Sequence, residues 1–201
     1  MTDQHSGSWL GNRKIQTKLL LAFGAILLAF LLAVVAILQA MRAQTEARQW
    51  SIHSREVIVE ISDVVRYLQQ ADLFIRDLNM SGEKKLAGQY QGYLDKTRQH
   101  LDKVIALTVD NATQQARLRQ ARDLLAQWIE RTADPAVKTN TARVGTTDFA
   151  QKSFDAGVLY LTATNAELGK IIGLLDEASE DEHELLDARN QALEQSAALS
   201  R

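Results

Sequence analysis

A chain of 201 residues with 23 Lys and Arg against 25 Asp and Glu, a formal net charge of −2, has no general attraction for nucleic acid, and no basic run with interleaved aromatics offers a local one. The absence of Cys excludes disulfides, thiolate zinc sites, iron–sulfur clusters and Cys nucleophiles together. A single Pro, few aromatics and many Ala, Leu, Gln, Glu and Arg predict an all-α chain, and its length allows one ordinary domain plus an anchor.

Residues 1–12 are polar and aperiodic and are expected to be disordered, and residues 1–18 read as a cytoplasmic N-terminal tail. From Leu19 to Leu38 every residue is apolar. A helix of about twenty residues at about 1.5 Å per residue spans the roughly 30 Å hydrocarbon core of a bilayer, and the run exceeds the roughly 7–15 apolar residues of a cleaved signal peptide. A transmembrane helix is therefore predicted over 19–41. Arg13, Lys14 and Lys18 precede it, whereas Arg42 and Arg48 follow with Glu46 between them. The positive-inside rule then leaves the N-terminus in the cytoplasm and places residues 42–201 outside it.

Val57, Ile61, Val64, Leu68, Ala71, Ile75 and Leu78 recur at alternating steps of four and three, the seam of a bundle helix. The same register continues back through Ser54, Trp50, Ala47, Ala43 and Ala40, so one helix is predicted to run to about Met80, ended by Ser81 and Gly82. A second helix fits Glu83 to Leu107, with Leu86, Tyr90, Tyr93, Leu101 and Val104 inward. Asn111 with Gln114 resembles a capping box and starts a third helix, whose stripe is Leu118, Ala121, Leu125 and Trp128. This helix is expected to fade near Asp134 and Pro135, because the residue before Pro resists helical geometry. Asp148 with Gln151 is predicted to cap a fourth helix with the seam Phe154, Val158, Leu161, Leu168, Ile172, Leu175, Leu186 and Leu193. The expected architecture is an N-terminal transmembrane helix followed by an antiparallel four-helix bundle with long first and fourth helices. In that topology the fourth helix returns to the bilayer, and a second span is expected beyond Arg201.

Four local patterns lie along this layout. Trp50, His53, Ser54 and Val57 open it in WSIHSREV; Asp72, Arg76, Ser81 and Gly82 follow in ADLFIRDLNMSG; Asp110, Asn111, Gln114 or Gln115, Arg117 and Leu118 follow in DNATQQARL; Asp181, Glu182, Leu185, Leu186 and Arg189 close it in DEHELLDAR. Together, over about Trp50 to Arg189, they resemble the CHASE domain of the third type, an extracytoplasmic helical sensory domain of bacterial receptors. Three departures stand out: Asp77 replaces a Gly, Leu78 an aromatic residue and Ala112 a Pro. The resemblance implies the input region of a chemoreceptor, sensor histidine kinase or nucleotide cyclase in the bacterial inner membrane. Its motif residues Trp50, His53, Asp72, Arg76, Asp110, Asn111, Glu182, Leu185, Leu186 and Arg189 become the candidates for a functional role.

No catalytic constellation is visible, and neither a metal nor a cofactor is expected. Glu180 and His183 have the spacing of a di-iron helix motif, but such a site needs the motif on two helices and this sequence has it once. A solvated acidic face explains them, and His53 and His100 read as capping or surface residues. Asp72 and Arg76, one turn apart, are either a surface pair or a pair within the bundle. The expected partners are the membrane, a second copy in a parallel homodimer, and a cytoplasmic output in a following segment or a partner protein. The alternative is a membrane-anchored adaptor whose bundle binds a partner receptor and carries no stimulus.

Overall fold

The computed structural model describes residues 9–83, 85–143 and 149–199, with side chains over 15–83, 85–142 and 154–195. The elements are α1 (Trp9–Ser81), α2 (Lys85–Leu107), α3 (Ala112–Trp128), a π-turn (Ile129–Ala133), α4 (Asp134–Arg143) and α5 (Phe149–Leu199). They fall into two compact units, Met1–Arg48 and Gln49–Arg201.

In the first unit the described side chains from Ile15 to Glu46 are all exposed, including Leu19–21, Phe23, Ile26–Leu28 and Phe30–Leu32. Among the described residues none covers this apolar helix.

The second unit is an antiparallel four-helix bundle in which α3, the π-turn and α4 together form the third rod. Cross-contacts set the direction of each rod. On α1 and α2, Glu60 meets His100 while Phe74 stacks on Tyr93; on α3 and α5, Gln114 meets Glu182 while Trp128 meets Thr164. All seven residues of the α1 seam from Val57 to Leu78 are at most 2% exposed. The α3 stripe of Leu118, Ala121, Leu125 and Trp128 is buried as expected. Gly82 ends α1 at φ 70°, a left-handed conformation that favours Gly, and its N–H bonds Leu78 O at 3.0 Å. Asn111 caps α3 by accepting from Gln114 N at 3.1 Å.

Three expectations need correction. The third rod does not fade at Pro135 but continues to Arg143. Pro lacks an N–H and its ring crowds the carbonyl one turn back, so an α-helix would kink there. The wider π-turn placed immediately before it, with the Asp134 N–H reaching back to Ile129 O, lets the rod pass. In α2 the innermost residues are Tyr90, Leu94, Thr97, Leu101 and Val104, while Leu86 and Tyr93 are half-buried.

In α5 the seam runs Tyr160, Thr164, Leu168, Ile171, Leu175, Ala178 and Glu182, leaving Phe154 69% and Val158 50% exposed. Two successive steps of four, 160 to 164 to 168, shift the inward face by one residue relative to the strict heptad. The capping pair expected at Asp148 and Gln151 lies outside the described residues.

Candidate functional site

The motif residues assemble into two clusters at opposite ends of the bundle. At the base, where α1 enters the second unit, Trp50 and His53 share one helix face and meet edge to face at 5.7 Å between ring centroids. Arg189 of α5 crosses to them: its guanidinium lies 5.0 Å from the Trp50 ring centroid, and Nη1 donates to Trp50 O at 3.4 Å and to the Ser54 hydroxyl. A planar guanidinium can stack on an indole and donate along its edge at the same time, which Lys cannot do. Asp110, in the turn after α2, lines the same shallow recess as Trp50 and His53.

One turn further in, the buried Glu182 accepts from Gln114 Nε2 at 2.9 Å, so the cap residue Asn111 and the closing signature are joined through Gln114. Arg117 pairs with Glu177 at 3.1 Å and with Asp181. Leu185 and Leu186 are half-buried beside this group. The first, third and fourth sequence patterns are therefore one contiguous structure.

The second pattern is elsewhere. Asp72 is 6% exposed, its Oδ2 accepts from Arg76 Nε at 2.7 Å and its Oδ1 accepts from the Tyr160 hydroxyl at 2.7 Å. Arg76 continues to Asn165 Oδ1 at 3.1 Å. The pair within the bundle, not the surface pair, is what the chain forms. Burial, reinforced by the neighbouring Asp72 charge, pushes the Tyr160 phenol well above its ordinary pKa and keeps it a neutral donor. Tyr90 behaves likewise: burial first and Asp134 second raise it, and its hydroxyl donates to Asp134 at 2.8 Å.

Several polar residues were not singled out by the motifs. Trp128 Nε1 donates to Thr164 at 2.8 Å, Thr132 donates to Glu167 at 2.6 Å, and Asn140 donates to Asn79. Apolar periodicity places Trp128 but not Thr164, Thr132, Glu167, Asn79 or Asn140, which are polar side chains at buried or half-buried positions made tolerable by their partners. His100, expected in a capping or surface role, is half-buried between Glu60 and the Tyr67 ring. His183 is exposed and bonds only within its own helix, to Ser179 O. Among the described residues no group of three or more His, Asp or Glu is arranged to hold a metal.

Charges that cross between rods, buried hydroxyl and amide bridges and an arginine clamp at the base tie the four rods to one another. No curated protein and no solved structure matches the chain. The CHASE3 domain does match, over residues 47–192, which takes in all four rods and both motif clusters. The protein belongs to the CHASE3 family of extracytoplasmic sensory domains.

Proposed function

We propose that this chain is the signal-input region of a bacterial transmembrane receptor, with residues 1–18 in the cytoplasm, 19–41 crossing the inner membrane and 42–201 outside. The observation that carries the reading is that the CHASE3 bundle follows directly on an uncovered apolar helix in the same chain. Leaving one large apolar side chain in water costs about 1.5–3 kcal/mol. Between Ile15 and Met41 every large apolar residue is exposed, so the sum far exceeds the roughly 5–15 kcal/mol that stabilises a domain. An apolar medium resolves this, and a bilayer has the matching thickness.

The role is conformational, not catalytic. α1 and α5 are tied at the base by Arg189 and at the far end by Asp72, Tyr160 and Arg76, so a stimulus that alters either tie shifts one long helix against the other. The output is a cytoplasmic kinase, cyclase or chemoreceptor signalling hairpin, in a following segment or a partner. The working unit is a parallel homodimer in which Ala40, Ala43 and Ala47 permit close approach of two copies of α1.

Joining the chain through a second span to a chemoreceptor or histidine kinase output tests this. Arg76→Ala is expected to shift the basal output at unchanged membrane level and helicity. An output indifferent to that change would favour the adaptor reading.

A further inference from the structure

Between α4 and α5 lies a cleft of about 690 Å³, lined by Arg131, Pro135, Ala136, Asn140, Leu159 and Tyr160 among others. Small-molecule sites are typically about 300–1,000 Å³, mostly apolar and furnished with a few convergent polar groups. Three features point to an occupant. Asn140 is 1% exposed, spends its Nδ2 on Asn79 and leaves its Oδ1 without a donor. A buried acceptor in that state carries a desolvation cost that a ligand donor would remove. Arg131, among the described residues, has no ion-pair partner, yet it stands at the rim of the cleft. The wall itself begins in the π-turn, a deformation frequent at functional sites.

The two polar groups are at opposite ends. Thr132 bonds Glu167, whereas Asn79 bonds Asn140 and lies beside Gly157, so Arg131 is level with the middle of α5 and Asn140 is nearer its start. Asp155 lines the Asn140 end. Arg131 and Asn140 are nine helical steps apart, roughly 13 Å, and the guanidinium spans part of it.

We propose that the cleft binds a small amphipathic zwitterion of the ω-amino acid type. Its carboxylate meets Arg131, its apolar body lies along Pro135, Ala136 and Leu159, and its ammonium lies beside Asp155, where a turn of the buried Asn140 amide toward the cleft brings Oδ1 to it. Tyr160 forms part of the lining, and its hydroxyl holds Asp72 of α1. Occupancy therefore bears directly on the tie between α5 and α1. As the stimulus of the receptor the site rests on the input reading above; as a binding site it does not.

The test is calorimetry on the full chain in lipid nanodiscs, titrated with ω-amino acids from aminobutanoate to aminodecanoate, with octanoate and octylamine as controls. At least one ω-amino acid is expected to bind, with both controls weaker by roughly tenfold or more. Arg131→Gln, at an exposed position, and Ala163→Leu, which fills the cleft, are each expected to weaken binding by a similar factor with helicity retained. No binding by any member of the series overturns the proposal, as does binding that Arg131→Gln leaves unchanged. If Ala163→Leu fails to fold, Arg131→Gln alone decides. Binding without any change in a receptor chimera would sink the input reading and leave the site standing. A responsive chimera whose isolated chain binds none of the series would do the reverse.

Discussion

Tyr160 of α5 donates a 2.7 Å hydrogen bond to Asp72 of α1, a residue 88 positions earlier in the chain. The carboxylate is almost fully buried and its other oxygen is held by Arg76, which is itself about one-third exposed. The two ties are unequal in kind, since one is a neutral donor and the other the compensating charge.

Removing them should therefore have unequal effects. Tyr160→Phe is expected to destabilise the bundle by about 1 kcal/mol, the net worth of one hydrogen bond. Arg76→Ala leaves a buried carboxylate uncompensated and is expected to cost more, roughly 1–3 kcal/mol once its partial exposure is allowed for. Thermal unfolding of the two variants, followed by circular dichroism, gives the order. A larger effect from Tyr160→Phe, or none from either, would show that the Asp72 cluster is not held as described.

Glu60 supplies a pH dependence. Burial by itself would raise its pKa, but the hydrogen bonds of Lys103 at 2.7 Å and His100 at 2.6 Å, with the Lys103 and His100 charges, outweigh it and hold the carboxyl below its ordinary 4.5. A depressed folded pKa contributes stability that is complete above the unfolded value and is lost as pH falls through the folded one. Stability should thus decline below about pH 4.5, by about 1 kcal/mol or less from this group because Lys103 is half exposed. Glu60→Gln should flatten that part of the profile. An acid limb of unchanged steepness in the variant would assign it to other carboxylates.

The proposed dimer makes a prediction that the Cys-free sequence renders clean. Single Cys residues at Ala43 and Ala47, in membranes under mild oxidation, should cross-link to their own counterparts several-fold more than Cys at Gln44 or Gln49. Equal cross-linking at all four positions, or none, would remove the case for a seam along Ala40, Ala43 and Ala47.

How much of this was legible differs along the chain. The α1 seam from Val57 to Leu78 could be read residue by residue, because a long helix buried on one stripe repeats its apolar positions with little drift. Gly82 and Asn111 announced their turns through backbone chemistry, a left-handed residue and a cap. Pro135 misled because its effect on a helix depends on the turn before it, and nothing in the local sequence marks the π-turn. The start of α5 misled for another reason. Tyr160 and Thr164 face inward because Asp72 and Trp128 wait for their hydroxyls, whereas apolar periodicity favours Val158 and Leu161, which the fold leaves exposed. Among the motif residues, sequence spacing joined Asp72 to Arg76 but could not show that Trp50 and Arg189 touch, since 139 positions separate Arg189 from its acceptor on Trp50.

The central claim, that the bundle lies outside the cytoplasm behind a membrane-spanning α1, is tested most directly by labelling single Cys residues in intact cells with a membrane-impermeant maleimide. A Cys at the exposed Asp123 of α3 should react before the membrane is permeabilised, and a Cys at Ser8 should react only afterwards. Labelling of Ser8→Cys in intact cells together with protection of Asp123→Cys would contradict the account.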